Sequence, residues 1–238
     1  MLRVNAAVNK TVRNILFNSL VAIVSLFVNG FGIYLTMRAN IGASPWDVFN
    51  LGLSKTFGIL YGTASIGVSL TILLIDILLK EPIGIAMFID AIVVGKSVDF
   101  FNFIDIVPKA DNIVISIIMM GIGLFIIGYT QLFYMRSSLG CGPRDSLLIG
   151  LKKRLKRMPI GVVSIAILST ATFIGYLLGG PVGIGTIICA LCAGPIMQFA
   201  FQSLSFEATA IRHQNLKESF KIMINDMRNG KRKCIFNH

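Results

Sequence analysis

The chain has 238 residues, 55% of them hydrophobic and only 14% charged, against roughly 25% charged in an ordinary soluble domain. Mean hydropathy is +0.78 and no charge falls between Arg157 and Glu207, which excludes a water-soluble globular enzyme, because about 18 uncharged apolar residues already read as a membrane span. The net charge of +11 does not signal nucleic acid, since the 22 Lys and Arg lie in clusters between apolar runs.

A basic start (Arg3, Lys10, Arg13) precedes an uncharged run from 14 to 37. That run is longer than a signal-peptide core and lacks a small-residue cleavage site, so it is expected to stay attached as the first span. Further apolar segments at about 59–79, 82–104, 112–135, 159–178 and 182–205 each approach the roughly 20 residues a helix needs to cross the hydrocarbon. Lys80-Glu81-Pro82 and Gly179-Gly180-Pro181 separate neighbouring spans, because proline cannot continue a helix. With the N-terminus inside, 18 of the 22 Lys and Arg lie in segments 1–13, 80–81, 136–157 and 206–238, and three (Arg38, Lys55, Lys109) lie on the other side. This asymmetry predicts cytoplasmic termini and a basic inner face turned to anionic lipid.

Residues 37–55 align without gaps on 135–153, with eight of nineteen positions identical in the skeleton M-R-x3-G-x2-P-x-D-x4-G-L-x-K. One residue of slippage then brings Gly62, Pro82, Gly84 and Gly95 onto Gly161, Pro181, Gly183 and Gly194. Two copies of a three-span unit follow. Three is odd, so the second copy enters the membrane from the opposite side. The expected fold is an all-α membrane protein of about six transmembrane helices, built as two inverted three-helix repeats, each with a short broken or interfacial helix after its first span. The expected units are a basic N-terminus at 1–13, repeat one at 14–104, repeat two at 112–206 and a cytoplasmic amphipathic tail at 207–238. Inverted repeats underlie many secondary transporters; duplication that merely makes a stable bundle is the plainer alternative.

The motif itself reads as a helix start. Ser44-Pro45-Trp46-Asp47 offers an N-cap, proline at the first helical position and a carboxylate at the positive end of the dipole, and Gly142-Pro143-Arg144-Asp145 repeats it with a glycine cap. Short helices are expected from about 44 and about 142. Helix starts beside arginine suit an anion, which makes Arg38, Ser44, Asp47, Arg136, Gly142 and Asp145 candidate solute-binding residues. The structural alternative pairs Arg38 with Asp47 and Arg136 with Asp145. After the second motif, the run from Lys152 to Arg157 reads as a positive-inside anchor.

The third span carries Asp90, Lys96 and Asp99, candidate coupling or intramembrane charges, because ionisable groups within a span usually face the bundle interior or a water-filled cavity. Lys96 and Asp99 share a helix face and are expected to neutralise each other. Asp90 has no local partner. Asp76 reads as interfacial, and Gln131 as a further cavity group. In the tail, Leu216, Phe220, Met223, Ile224 and Met227 form an apolar stripe. The four cysteines have no zinc-ligand spacing and the two histidines, His213 and His238, lie in the tail. No metal, cofactor or enzymatic activity is expected.

The Arg-x3-Gly-x2-Pro-x-Asp motif after the first and fourth spans, with the chain length and glycine-rich spans, resembles the YczE/YitT-like family of bacterial multi-pass membrane proteins. The resemblance covers about residues 14–206, resides mainly in 38–53 and 136–151, and is closer to the YczE branch, because the large C-terminal soluble domain of the YitT branch is absent. It implies the bacterial cytoplasmic membrane, with no established activity and no agreed substrate. The leading functional expectation is a transporter of an unidentified small molecule or ion, with an anionic metabolite as the candidate solute. The competing one is a non-transporting accessory protein for a cytoplasmic biosynthetic complex, with self-association left open.

Overall fold

The computed structural model describes residues 2–137 and 142–204, which form eight helices and, among the described residues, no strand. In chain order they are α1 (Leu2–Arg38), α2 (Pro45–Phe57), α3 (Tyr61–Leu78), α4 (Ile85–Ile104), α5 (Ile113–Arg136), α6 (Pro143–Arg154), α7 (Ile160–Leu177) and α8 (Ile184–Ser203). Both short helices start at the motif prolines, as expected. The amphipathic tail and Cys141 lie outside the described residues. One boundary differs: α1 continues back to Leu2, through the stretch expected to be a separate N-terminal segment.

Among the described residues, five helices are long and apolar enough to cross a membrane: Phe17–Arg38 within α1, then α3, α5, α7 and α8. The remaining long helix, α4, has 20 residues, but its three charges set it apart. Glycine sets the closest packing. Antiparallel α1 and α5 cross where a Cβ on Gly123 would lie 2.7 Å from the Thr36 side chain and 2.8 Å from the Gly32 carbonyl. Such small-residue crossings let backbones approach where no hydrophobic gain drives association. A buried bond from Asn29 Nδ2 to Thr130 Oγ1, 2.9 Å, fixes the same register. Because the pair is antiparallel, the ends of α1 at Arg38 and of α5 at Arg136 lie at opposite ends of the bundle.

The helices sort into two groups. In one, α1 packs on α4 and α5, and α5 on α8; in the other, α2 packs on α3 and α7, and α6 on α3 and α7. The two groups meet chiefly where α3 lies along α4. There Gly62 and Gly95 are in backbone contact, a Cβ on Gly95 falling 2.9 Å from the Gly62 carbonyl, and Asp99 Oδ1 accepts the Gly62 N–H at 2.7 Å. The counterpart pair α7 and α8 is parted, and Cβ atoms on Gly161 or Gly194 would meet nothing within 4 Å.

The ends of the short helices are tied alike. Lys55 and Thr56, ending α2, donate to the carbonyls of Gly179 and Leu178 after α7, at 3.5 and 3.1 Å. Lys153 and Arg154, ending α6, reach Glu81 and the Leu79 carbonyl after α3. Gly123→Leu is expected to destabilise the protein in detergent by about 1–3 kcal/mol through overpacking. Gly121→Leu, where an added Cβ meets nothing, should stay within about 0.5 kcal/mol. Thermal or denaturant unfolding of the two variants checks the contrast.

Candidate functional site

The start of α2 is buried. Ser44 is its extended N-cap, but its hydroxyl bonds no backbone N–H. Instead it donates to Asp47 Oδ2 at 2.6 Å, while the Tyr61 hydroxyl donates to Asp47 Oδ1 at 2.6 Å. Asn50 Nδ2 lies 3.4 Å from the Tyr61 oxygen, and Asp47, Asn50 and Tyr61 are all buried. Two hydroxyls therefore hold the Asp47 carboxylate, close to the N–H groups of its own first turn.

The expected pairing of Arg38 with Asp47 does not occur. Arg38 forms an ion pair with Asp105, lies 5.0 Å over the Tyr34 ring, and accepts the Ala110 N–H at its carbonyl. The reason is positional: Arg38 ends α1 beside the connection from α4 to α5, whereas α2 carries Asp47 into the bundle. A recess of about 700 Å³ opens there, lined by Arg38, Asn40, Asn102, Asp105 and Lys109 and reaching Gly42 and Ala43 just before α2.

The start of α6 approaches the start of α2. Arg144 lies 5.2 Å over the Trp46 ring and is the cation facing both Tyr61 and Asp90. A Cβ on Gly142 would lie 3.0 Å from Asp90 Oδ2 and 3.8 Å from Asp145 Oδ2. The cap glycine thus lets α4 bring Asp90 against the first turn of α6. Gln131 of α5 donates to Asp145 Oδ2 at 3.3 Å. At the position matching Asp90, α8 presents the buried Cys189, which faces Asp47. One arginine and the carboxylates of Asp47, Asp90 and Asp145 thereby form a polar seam between the two helix groups.

Not every expected residue joins the seam. Arg136 is exposed at the end of α5, and Lys96 is exposed on α4. Lys96 and Asp99 form no ion pair; Asp99 turns to the Gly62 backbone instead. Among the described residues no group of three or more His, Cys, Asp and Glu is arranged to hold a metal. Sequence reasoning missed Arg144, Trp46 and Tyr61. The first two occupy the variable position between the motif proline and aspartate, and Arg144 was counted among the inner-face charges.

These features define a multi-helix membrane protein with a polar seam between two helix groups. The chain belongs to a family of unknown function, DUF6198, whose family model matches residues 16–202, essentially α1 to α8. It is similar to the uncharacterized membrane protein YczE of Bacillus subtilis (strain 168), 32% identical over 177 residues that cover 74% of this chain and 81% of that protein. It is also similar to an uncharacterized protein of Haemophilus influenzae, 29% identical over 175 residues (74% and 79% covered). The uncharacterized protein YyaS of Bacillus subtilis is 27% identical over 186 residues (76% and 90% covered). The YczE-like resemblance read from the motif therefore holds. No solved structure matches the chain significantly.

Tyr61→Phe removes one of the two hydroxyls on a buried carboxylate. Hydrogen bonds to charged groups contribute about 1.5–3 kcal/mol, and a loss of that size is expected in unfolding measurements. Tyr176→Phe, on an exposed tyrosine, should change stability little.

Proposed function

We propose that the protein carries a small charged solute across the bacterial cytoplasmic membrane, with both termini cytoplasmic and the Lys152–Arg157 face against anionic lipid. The observation that carries this reading is the convergence of two sequence-related helix starts from opposite ends of the bundle, with Arg144 over Trp46 and Asp90 against Gly142. Backbone that begins a helix inside a membrane is tolerated where it is buried in protein or lines a cavity, and transporter sites are commonly built this way. In this reading α4 is the sixth crossing and the halves are inverted repeats. Support comes from the matched ties: Thr56 to Leu178 corresponds to Arg154 to Leu79 under the alignment of the two copies.

Two helix starts and Arg144 suit an anionic group on the solute, while Asp90 and Asp145 suit a positive or hydrogen-bond-donating one. A solute bearing both fits best. Movement is a rocking of the group containing α2, α3, α6 and α7 against the group containing α1, α4, α5 and α8. The α3–α4 seam is shut at Gly62 and Gly95 while the equivalent α7–α8 seam is parted, and rocking exchanges the two conditions.

Two experiments test the proposal. In membranes, the cysteine pair Gly161→Cys/Gly194→Cys is expected to cross-link, and the yield should rise several-fold when Asp99→Ala loosens the α3–α4 seam. No cross-link in either background contradicts rocking. In detergent, a panel of amino acids and dicarboxylates is screened for thermal stabilisation; at least one amino acid is expected to raise the midpoint in the wild type and to lose that effect in Arg144→Gln. Stabilisation by dicarboxylates alone contradicts the assigned solute class, and stabilisation by none contradicts the site.

A further inference from the structure

Among the described residues, one buried acid lies outside the seam. Asp76, near the end of α3, has no exposed surface, and neither carboxylate oxygen has a hydrogen-bond partner. It sits where α6 packs on α3, and the buried hydroxyl of Ser146 faces it. Among the described residues no cation answers it. Glu81, in the turn that follows, is the other charge facing Asp76, and Glu81 is paired with Lys153, while Arg154 is engaged by the Leu79 carbonyl. A buried carboxylate in such surroundings is costly unless something positive joins it.

The other half of the molecule shows that packing does not require this acid. The position matching Asp76 is Gly175, and there α2 crosses α7 so closely that a Cβ would lie 2.6 Å from the Phe49 backbone. One copy of the crossing closes with a glycine; the other holds a carboxylate with both oxygens unfilled and a hydroxyl opposite.

We infer that Asp76 and Ser146 form a binding site for a small monovalent cation, a sodium ion or a proton, at the crossing of α3 and α6. The hydroxyl and the two carboxylate oxygens are hard oxygen donors, the set that suits such an ion. Ser146 follows Asp145 directly, so filling the site re-seats the first turn of α6, which carries Arg144 and Asp145 into the seam. The site itself stands on burial and unfilled oxygens; only its coupling role rests on the transport reading.

The full-length protein in detergent tests the site without any solute. Its thermal midpoint is measured against NaCl and against KCl at constant ionic strength, and against pH in sodium-free buffer, for the wild type, Asp76→Asn and Ser146→Ala. A sodium site raises the wild-type midpoint with sodium but not potassium; a proton site raises it as pH is lowered. Asp76→Asn is expected to abolish the dependence. Ser146→Ala, which keeps the carboxylate, should shift the ion concentration required by about tenfold, the equivalent of one hydrogen bond. Wild type and Asp76→Asn responding alike to sodium and to pH overturns the site, even if the central seam binds its solute. Should Asp76→Asn fail to fold, an unchanged ion dependence in Ser146→Ala overturns it instead.

Discussion

The stacking of Arg144 on Trp46 joins two helix starts that reach each other from opposite ends of the bundle, and much of the remaining architecture serves to keep that meeting out of hydrocarbon. A helix start exposes backbone N–H groups that lipid cannot satisfy. Here both starts are enclosed. Asp47, held by Ser44 and Tyr61, sits in the first turn of α2; Asp145 does so in α6, with Gln131 and Asp90 around it. The long helices form the wall. The close α1–α5 crossing at Gly32 and Gly123 sets the middle of that wall, and the ties of Thr56 to Leu178 and of Arg154 to Leu79 hold the far ends of α2 and α6.

The two halves are built alike but are not in the same condition. Gly62 and Gly95 touch, and Asp99 seals the contact; Gly161 and Gly194 occupy the matching positions on helices that stand apart. A glycine pair retained at a parted seam is physically sensible if that seam closes in a second arrangement, since glycine in a helix interior otherwise costs about 1 kcal/mol relative to alanine. Asp76 breaks the likeness in a different way, placing a carboxylate where the other crossing has Gly175.

Much of the fold was legible because the apolar runs are bounded by charges and prolines. Pro45 and Pro143 each begin a short helix, and, apart from the start of α1, the expected segments agree with the observed helices to within a few residues, five of them long and apolar enough to cross a membrane. The likeness of Met37–Lys55 to Met135–Lys153 is a match in the sequence itself. Partner choice was not. Arg38 could be placed near the end of α1, yet its pairing with Asp105 depends on how the connection after α4 folds back over Tyr34. Arg144 was hidden by its sign: among six neighbouring basic residues it looked like part of the inner-face charge, and only packing of α6 against α2 distinguishes it. Lys96 and Asp99 satisfied a local helical spacing, but the backbone N–H of Gly62 competed for the carboxylate and won.

The central claim is that α2 and α6 enter the bundle from opposite sides of the membrane. In a cysteine-free background, Lys55→Cys and Lys156→Cys mark the two far ends, and both positions are exposed. A membrane-impermeant thiol reagent applied to intact cells is expected to label Lys55→Cys alone, with Lys156→Cys labelled only after the membrane is opened. Labelling of both from the same side contradicts the inverted arrangement and the shared seam built on it.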